Sequence, residues 1–553
     1  MPQQSASSPP QPSLLTALRA PAGPIALAVA GAVAVAALPL LIAEPVASTG
    51  PTASHIFEYL FDRNEPAAAW LALAVLVLAL LSSRWPTLPE RFIVSRLARD
   101  PRAFITGATV VLAAAALLVY RAHPLSMDEY APFFQARIFA RGRLHAQVPP
   151  ELIPRLVPPF RWFIEASPSG AMVSTYWPGF ALLLTPFVWV GCPWLLNPLL
   201  GGAALVLVWR VGRLLWPDGA AAGWAVLFTA ASPAFSLNAI SYYSMNAHLA
   251  ASLAFALLVL EGRLFLAGVI GSVALSLHNP FPHTLFALPW MAWLGWAPGR
   301  ARKLLRLGMG YVPGVAILVL GWMWYRAWVI HPVHATQEAV SILEAIAQSA
   351  FAAPSSQVVL DRAMNLAELA SWAVPLLPLL AILGAARFRA MIEVRLLSAS
   401  ALLTLAAYSF VTFNQGHGWG FRYFHPVWFV LPLLAAGALE SVDATAQLRK
   451  LALAAALCSL ALCTPLRFGQ VRTFIGSHLA QVPPAGGGRQ VIFLDVARGS
   501  YTIDLVQNDP FLEGNRWILI SLGAAEDSRW MAMAFPRARR TAVWRLGSVW
   551  QVD

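Results

Sequence analysis

The stretch "FITGATVVLAAAALLVYRAHPLSMDEYAPFF", residues 104–134, places two adjacent carboxylates directly after a run apolar enough to cross a bilayer. Asp128 and Glu129 therefore lie within a few residues of a membrane surface, in a chain that has only 26 acidic side chains among 553 residues. Ionisable groups close to hydrocarbon are costly to desolvate, so this position calls for a function or for a structural partner.

The composition of the whole chain is that of a polytopic membrane protein. Hydrophobic residues make up 58% of the sequence and charged residues only 12%, which is more apolar surface than a soluble domain can bury. The formal net charge of +12 does not indicate a nucleic-acid partner, because the basic residues form short clusters between apolar runs. The three cysteines, Cys192, Cys458 and Cys463, have no metal-ligand spacing and are interpreted as packing residues.

Apolar runs of membrane-spanning length recur from residue 24 to residue 466, and they predict an all-α membrane domain with about thirteen transmembrane helices. The expected spans are residues 24–43, 67–83, 103–120, 193–212, 219–238, 246–262, 264–279, 282–297, 308–330, 366–386, 394–413, 425–440 and 449–466. The run 176–191 is short and contains two prolines, so we interpret it as a juxtamembrane or re-entrant helix packed on protein.

The positions of the arginines predict the orientation of these helices. The basic loops 83–102, 209–219, 299–308 and 386–395 are assigned to the cytoplasm, as the positive-inside rule requires. The Pro- and Ser-rich residues 1–23 then form a disordered cytoplasmic tail, and the first helix is expected to be retained rather than cleaved as a signal peptide.

Two polar regions of the chain are expected to lie on the extracytoplasmic side of the membrane. The long loop 121–175, which carries the acidic pair, is predicted to be extracytoplasmic. Residues 467–553 contain the linker "PPAGGGRQ" (483–490) and short β-like runs such as "QVIFLDV" and "RWILISL". They predict a small extracytoplasmic domain of α/β or mainly β structure.

The acidic pair has two interpretations. An arbitrary Asp-Glu dipeptide is usually a solvated loop or a helix cap. Here the pair stands at a helix exit, before the basic stretch "FFQARIFARGRL" (133–144), which we expect to lie in the membrane interface. A partly desolvated carboxylate is a suitable acceptor for the proton of a hydroxyl, so Asp128 and Glu129 are candidate catalytic residues.

Arg422 and Tyr423, in "GWGFRYFHP", are the second candidate site. They are either interfacial anchors or a phosphate-binding pair, because the forked donors of a guanidinium match phosphate oxygens. Polar residues at the same predicted membrane face are further candidates for binding the donor or the substrate. The spacing of His278 and His283 is not that of a helical metal pair. The alternative is that these histidines are structural. These further candidates are His278 for the donor phosphate and His248, Asn279, His283, His417 and His425 for substrate.

Several of these segments together resemble a family. The acidic pair followed by "ARIFARGRL", the later "YWPGFALLLTPFVWVG" (176–191) and the late "GWGFRYFHPVWFVLPLLAAGAL" (418–439) look like bacterial relatives of protein O-mannosyltransferases and aminoarabinose transferases. These are cell-envelope glycosyltransferases of the GT-C superfamily. The segment 195–237 is similar to the next helical pair of the family, and the resemblance covers roughly residues 100–440.

The resemblance implies a hexosyl- or pentosyltransferase that uses a polyprenyl-phosphate sugar as donor in the inner (plasma) membrane of a bacterium. Asp128 matches the catalytic acidic position of the family, and Arg422 matches a position that contacts the donor phosphate. The chain departs from the family in having two helices, rather than one, before the helix that leads to the acidic loop. It also has "LHNPFPH" where many relatives have Thr-Arg or Thr-Lys before a proline, so His278 would replace that basic residue.

The mechanism we expect is direct displacement at the anomeric carbon, with Asp128 as general base and Arg422 stabilising the leaving phosphate. Glu129 would orient the acceptor, tune Asp128 or contribute to a divalent-metal site. The acceptor class remains open among lipids, proteins and glycans. Two other classes of function are considered: a transporter or flippase, which would require ionisable residues near helix centres, and a non-catalytic scaffold.

Overall fold

The computed structural model describes most of the chain. Its described residues are 23–42, 64–85, 89–157, 163–217, 219–330, 355–411, 419–441, 444–499 and 501–552. Nearly all of the predicted N-terminal tail, residues 1–22, lies outside them.

The first part of the chain forms the helices that lead to the acidic loop and the strands within it. These elements are α1 (Gly23–Ile42), α2 (Glu65–Ser82), α3 (Glu90–Arg99), α4 (Arg102–Leu118), α5 (Met127–Ala140), β1 (Ala146–Gln147), α6 (Ile153–Leu156), β2 (Ile164–Ala166), β3 (Ala171–Ser174) and α7 (Gly179–Trp189). The three strands form one antiparallel sheet in the order β1-β3-β2. Helices α3 and α4 meet at an angle of 87°.

The described residues in the middle of the chain form helices joined by turns, with no strand among them. Its helices are α8 (Leu196–Leu215), α9 (Ala221–Ala230), α10 (Pro233–Asn238), α11 (Met245–Leu260), α12 (Leu264–Ser276), α13 (Phe281–Trp296), α14 (Arg300–Gly314), α15 (Trp322–Ile330), α16 (Ser356–Ser371), α17 (Leu377–Arg387), α18 (Ile392–Tyr408) and α19 (Val430–Glu440). A π-helical turn, Val315–Gly321, joins α14 to α15, and a 3-10 turn, Arg422–Val427, precedes α19.

The C-terminal part begins with a long helix and ends in a sheet. Helices α20 (Ala446–Cys458) and α21 (Thr464–Leu479) are continuous through a π-helical turn, so the boundary that we predicted after residue 466 falls inside a helix. Strands β4 (Arg489–Leu494), β5 (Arg516–Ile520), β6 (Arg539–Trp544) and β7 (Gly547–Val552) then form a four-stranded sheet, with α22 (Ala524–Ala534) between β5 and β6. We call residues 489–499 and 501–552 the C-terminal α/β segment.

The C-terminal sheet is mixed. Its strand order is β5-β4-β7-β6, with β4 and β5 parallel and the other two pairs antiparallel. The parallel pairing places Ile492 opposite Ile518. The β-like runs read from the sequence are therefore strands, and the intervening helix makes the segment α/β.

The predicted number of about thirteen transmembrane helices is not confirmed. By length and composition, five helices among the described residues can cross a membrane, or six if the bent pair α3–α4 is counted as one span. Several expected spans are broken: the run 219–238 divides at Pro233 into α9 and α10. Every residue of α9 is buried, so this helix packs within protein and does not need the full thickness of a bilayer.

The surface of the long helices is that of a membrane protein. Trp70 on α2 is 74% exposed and Trp296 on α13 is 83% exposed. Further Leu and Val side chains of α1, α2 and α4 are also exposed. Exposed apolar area on this scale is unfavourable in water and favourable against lipid. The protein is therefore an integral membrane protein.

A buried ion pair ties the first helices to the last. The two terminal guanidinium nitrogens of Arg467 on α21, Nη1 and Nη2, donate to the Glu65 carboxylate at the start of α2, at 2.9 and 2.7 Å. The indole of Trp372 also donates to Glu65, at 2.9 Å, and its ring lies 3.9 Å from the Arg467 guanidinium carbon. Because both charged side chains are buried, each depends on the other for compensation.

We expect Arg467→Met to destabilise the protein strongly, since it leaves the Glu65 carboxylate buried without its cation. Breaking a buried pair in this way typically costs about 3–5 kcal/mol. The measurement is thermal unfolding of the purified protein in detergent.

A matched control is Arg210→Met, because Arg210 forms a partly exposed pair with Glu261 at 2.6 Å. An exposed pair is worth about 0–1 kcal/mol, so this variant should melt close to the wild type. Equal losses in the two variants would contradict the importance assigned to the Arg467 pair, and the double variant Glu65→Gln/Arg467→Met should recover part of the loss.

Candidate functional site

The acidic pair lies at the start of α5, and the sequence explains why a helix begins there. Ser126 is the N-cap residue, and Glu129 three residues later completes a capping box in which each side chain meets the backbone of the other residue. The helix thus begins immediately before Asp128. The helix-cap interpretation of the acidic pair applies to Glu129.

Glu129 is fully buried, and both of its carboxylate oxygens are occupied. One oxygen accepts from the Tyr120 hydroxyl at 2.9 Å and from the Tyr242 amide at 2.8 Å. The other accepts from the amides of Leu125 and Ser126, at 2.9 and 3.1 Å. One side chain therefore joins the end of α4, the start of α5 and the segment before α11.

Asp128 is placed differently, with 21% of its side chain exposed. Its Oδ2 accepts from Nη1 of Arg422 at 2.7 Å, and its Oδ1 accepts a short hydrogen bond from the hydroxyl of Tyr176. The two adjacent carboxylates thus have different surroundings. Glu129 is enclosed by hydrogen-bond donors, and Asp128 forms a partly exposed ion pair.

Arg422 is held among aromatic rings at the start of the 3-10 turn. Its guanidinium carbon lies 4.9 Å from the centre of the Tyr243 ring and 5.9 Å from that of Tyr423. Tyr423 in turn stacks on Tyr408, with ring centres 4.6 Å apart, and the Arg362 guanidinium lies 5.7 Å from the Tyr423 ring. Rings that pack against a guanidinium restrict its orientation without neutralising its charge.

Tyr176 connects Asp128 to His278. The Tyr176 and His278 rings are 4.1 Å apart, and the Trp177 amide approaches the His278 carbonyl at 3.4 Å. Trp322 donates its indole N–H to the Tyr176 carbonyl at 3.1 Å, which fixes the backbone at this point. Three distant parts of the sequence therefore meet here, and they supply Asp128, His278 and the adjacent pair Arg422 and Tyr423.

The charges of this cluster determine the protonation of its members. Burial by itself would raise the pKa of Asp128, but the Arg422 guanidinium, the His278 ring and the Tyr176 hydrogen bond together lower it below its usual value. Burial lowers the pKa of His278 to about 4. At neutral pH, Asp128 is thus a carboxylate and His278 a neutral imidazole.

The remaining predicted substrate residues have varied positions. His248 is buried on α11, near enough to His278 and His283 to interact with them electrostatically. His283 shares a hydrogen bond of 2.7 Å with the Tyr311 hydroxyl. Asn279 accepts from the Phe281 amide at 3.0 Å, which is a local turn at the start of α13.

His425 and His417 complete the set of predicted residues. His425 is buried in the 3-10 turn that also holds Arg422. His417 lies outside the described residues. The assignment of these histidines to substrate binding remains a prediction.

Three tyrosines that were not candidates on sequence grounds lie beside the acidic pair and its cap residue. Tyr120, Tyr176 and Tyr243 contact Glu129, Asp128 and Ser126 respectively through their hydroxyl groups. Their sequence signal is weak, since tyrosine at a helix end is common in membrane proteins.

A divalent cation was among the candidate cofactors. The described residues contain no group of three or more His, Cys, Asp or Glu side chains that could hold a metal ion. Both oxygens of Glu129 already accept hydrogen bonds from protein, and Asp128 is paired with a cation. These residues as placed do not form a ligand set, so we derive no step through a metal.

The expectation that residues 133–144 lie in the membrane interface stays a prediction, and part of this stretch is buried in protein. Phe134, Gln135, Ala136 and Ile138 are buried. The helix packs against α7, the three-stranded sheet and the C-terminal α/β segment, because its apolar positions occur on several faces rather than on one stripe.

The fold of the chain is similar to that of ArnT from Cupriavidus metallidurans. The crystal structure of ArnT bound to undecaprenyl phosphate matches with a TM-score of 0.50 and 12% sequence identity, over 81% of this chain and 97% of that chain. The crystal structure in the apo state matches with a TM-score of 0.46 and 14% identity, over 80% and 98%. No protein-family model and no curated protein matches the sequence. At 12% identity, this likeness concerns the fold alone.

We expect the burial of Glu129 to make stability depend on pH. Burial raises the pKa of Glu129 from 4.5 to about 7, although its hydrogen bonds oppose that shift. The folded protein therefore binds more protons than the unfolded chain between these values, and the contribution of this group to stability falls as the pH rises from about 4.5 to about 7. Melting temperatures of wild type and Glu129→Gln at pH 5 and pH 8 test this.

Glu129→Gln cannot ionise at this position, so the fall in melting temperature between pH 5 and pH 8 should be smaller than in the wild type. The comparison uses the change with pH within each protein, because the amide lowers the stability at both pH values by placing an NH2 group among donors. An identical pH dependence in both proteins would show that Glu129 does not titrate in this range.

Proposed function

We propose that this protein is a membrane glycosyltransferase that transfers a sugar from a polyprenyl-phosphate-linked donor to an acceptor hydroxyl. The observation that carries the proposal is the pair of Asp128 and Arg422, a carboxylate and a guanidinium that remain partly accessible at the end of a helix bundle. The support from comparison is the fold, which is similar to that of a protein crystallised with undecaprenyl phosphate.

The reaction proposed is a single displacement. Asp128 accepts the proton of the acceptor hydroxyl while the acceptor oxygen forms a bond to the anomeric carbon. The bond from that carbon to the phosphate oxygen breaks, and its electron pair leaves with the polyprenyl phosphate. The leaving phosphate gains a negative charge, which Arg422 stabilises.

The ion pair between Asp128 and Arg422 implies that the donor binds before Asp128 acts as a base. While the two are paired, the guanidinium lowers the pKa of Asp128 and makes it a weak base. A donor phosphate that shares the Arg422 guanidinium would weaken that pairing and raise the basicity of Asp128. The base would thus become effective when the donor is bound.

Glu129 has a positioning role in this proposal. Its oxygens are occupied by donors from three segments, so it holds the first turn of α5 rather than contacting substrate. Tyr176 contacts the reacting carboxylate directly and orients Asp128.

The proposed location follows from the donor. Its polyprenyl chain must stay in the bilayer while its sugar reaches water, so the site belongs where the helix bundle meets the outer leaflet of a bacterial inner membrane. The loop 121–175 and the C-terminal α/β segment are then extracytoplasmic, and the N-terminus is cytoplasmic. The acceptor is a lipid, protein or glycan of the cell envelope.

We expect Asp128→Asn to lower sugar transfer from synthetic polyprenyl-phosphate sugars by about 10²–10⁴-fold, because the amide cannot accept the proton. The measurement is release of polyprenyl phosphate by the purified protein, with a chelator arm that tests the requirement for a divalent cation. Asp100→Asn is a matched control, since Asp100 is an exposed residue between α3 and α4.

The possible outcomes separate the classes of function. Full activity in folded Asp128→Asn would show that the catalytic assignment is wrong. If the wild type releases no polyprenyl phosphate from any donor tested, the glycosyltransferase proposal fails, and a flippase assay in vesicles becomes the next experiment.

Arg422→Gln should shift the pH dependence of transfer. Without the guanidinium, the pKa of Asp128 rises, so the fall of kcat/KM on the acidic side should begin at a higher pH than in the wild type. The same variant should raise the KM for the donor, because the phosphate loses a charged partner.

Arg422→Lys separates the two effects, since it keeps the charge and loses the forked geometry. We expect its acidic limb to lie near that of the wild type while its KM for the donor remains raised. A wild-type pH profile in Arg422→Gln would contradict the pairing of Arg422 with the catalytic base.

A further inference from the structure

The C-terminal α/β segment packs directly on the helix that carries Asp128. Side chains from one face of α5 share a buried cluster with residues of β4, β5, α22 and β7. The members of this cluster from the two sides are Met127, Tyr130, Phe134 and Ile138 of α5 and Val491, Phe493, Trp517, Leu519, Met531 and Val552 of the C-terminal segment. The segment is therefore part of the packing around the candidate site.

Several polar contacts between the two parts lie at or just before the first turn of α5. The amide of Met127 donates to the Asp504 carboxylate at 2.8 Å. The Tyr130 hydroxyl donates to the Asn508 carbonyl at 2.5 Å and accepts from the Asn508 amide at 2.9 Å. The Gln507 side chain donates to the carbonyl of Pro124, just before the helix, at 2.8 Å.

Asp504 occupies a distinctive place among these contacts. It is buried, and its carboxylate lies at the N-terminus of α5, where backbone amides have no partner within the helix. A negative charge at this end is also favoured by the helix dipole. The amide that it binds belongs to Met127, which immediately precedes Asp128.

We propose that Asp504 is a positioning residue that holds the first turn of α5, and with it Asp128, against Arg422. The C-terminal α/β segment is then required for catalysis without contacting the reacting atoms. This inference rests on the proposed transferase function for its kinetic consequences, and it concerns the position of α5 in any case.

A catalytic aspartate must be placed closely, because a small displacement of its carboxylate lowers the rate. Asp128 meets Arg422 and Tyr176 through separate oxygens, so a rotation of the first turn moves the carboxylate away from at least one of them. Glu129 fixes this turn through contacts with the helix bundle, and Asp504 fixes it through a contact from the C-terminal α/β segment. Neither contact alone defines both the position and the rotation of the turn.

The test compares Asp504→Ala, Asp504→Asn and Glu513→Gln in the full-length protein. Asparagine keeps an oxygen that can accept from the Met127 amide, whereas alanine does not. Glu513 is the matched control, because it also pairs with α5 from the C-terminal segment, through Arg141 at the far end of the helix, and both side chains are exposed.

For Asp504→Ala we expect kcat for transfer to fall by about 10²-fold, the scale of a displacement of about 1 Å in a catalytic group, while the KM for the donor stays within about twofold. Asp504→Asn should recover most of kcat, and Glu513→Gln should equal the wild type. Hydrogen exchange of residues 125–131 should be faster in Asp504→Ala only.

Two results would overturn the inference. One is an Asp504→Ala protein with wild-type kcat and unchanged exchange at residues 125–131. The other is an equal loss of kcat in Asp504→Ala, Asp504→Asn and Glu513→Gln, which would indicate general destabilisation.

If the wild type transfers no sugar, the proposed function fails, and the exchange data alone decide whether Asp504 holds α5. Faster exchange in Asp504→Ala, with protection in Asp504→Asn, then supports the positioning of the helix. Equal exchange in both contradicts it.

Discussion

The carboxylate of Glu129 is the constraint on which the candidate site depends. A buried carboxylate without hydrogen-bond donors is strongly destabilising, and this one is stabilised by donors from three separate segments. The end of α4, the start of α5 and the segment before α11 must therefore meet at a fixed distance. Asp128 is one residue away, so its direction follows from that arrangement, and its contact with Arg422 becomes possible.

The two adjacent acidic residues have different roles. Glu129 is buried, and its hydrogen bonds hold three segments of the protein together. Asp128 stays partly exposed, and its charge is balanced by a guanidinium that a phosphate can also bind. Aromatic rings of Tyr243 and Tyr423 pack against that guanidinium. The same rings limit the motion of the guanidinium. It stays where it can pair with the Asp128 carboxylate or with an anion beside it.

Packing between distant parts of the chain supports this arrangement from both sides. On the side of the bundle, Trp419 donates to the Tyr120 hydroxyl at 3.0 Å, and Tyr120 donates to Glu129. On the other side, the C-terminal α/β segment covers α5 and supplies Asp504 to its first turn. A helix of only 14 residues, weakly amphipathic in sequence, is therefore held by tertiary contacts on several faces.

The sequence by itself determined the membrane class, most helices of the bundle and the strands near the C-terminus, because apolar run length and alternation are local properties. It also indicated Asp128 and Arg422 as candidates. Only the tertiary structure decided which apolar runs are too short to cross a membrane, since turns and burial in protein divide them. It alone brought Arg422 and Tyr176 to Asp128 and Asp504 to α5, because contacts across hundreds of residues depend on how helices pack, which no local pattern encodes.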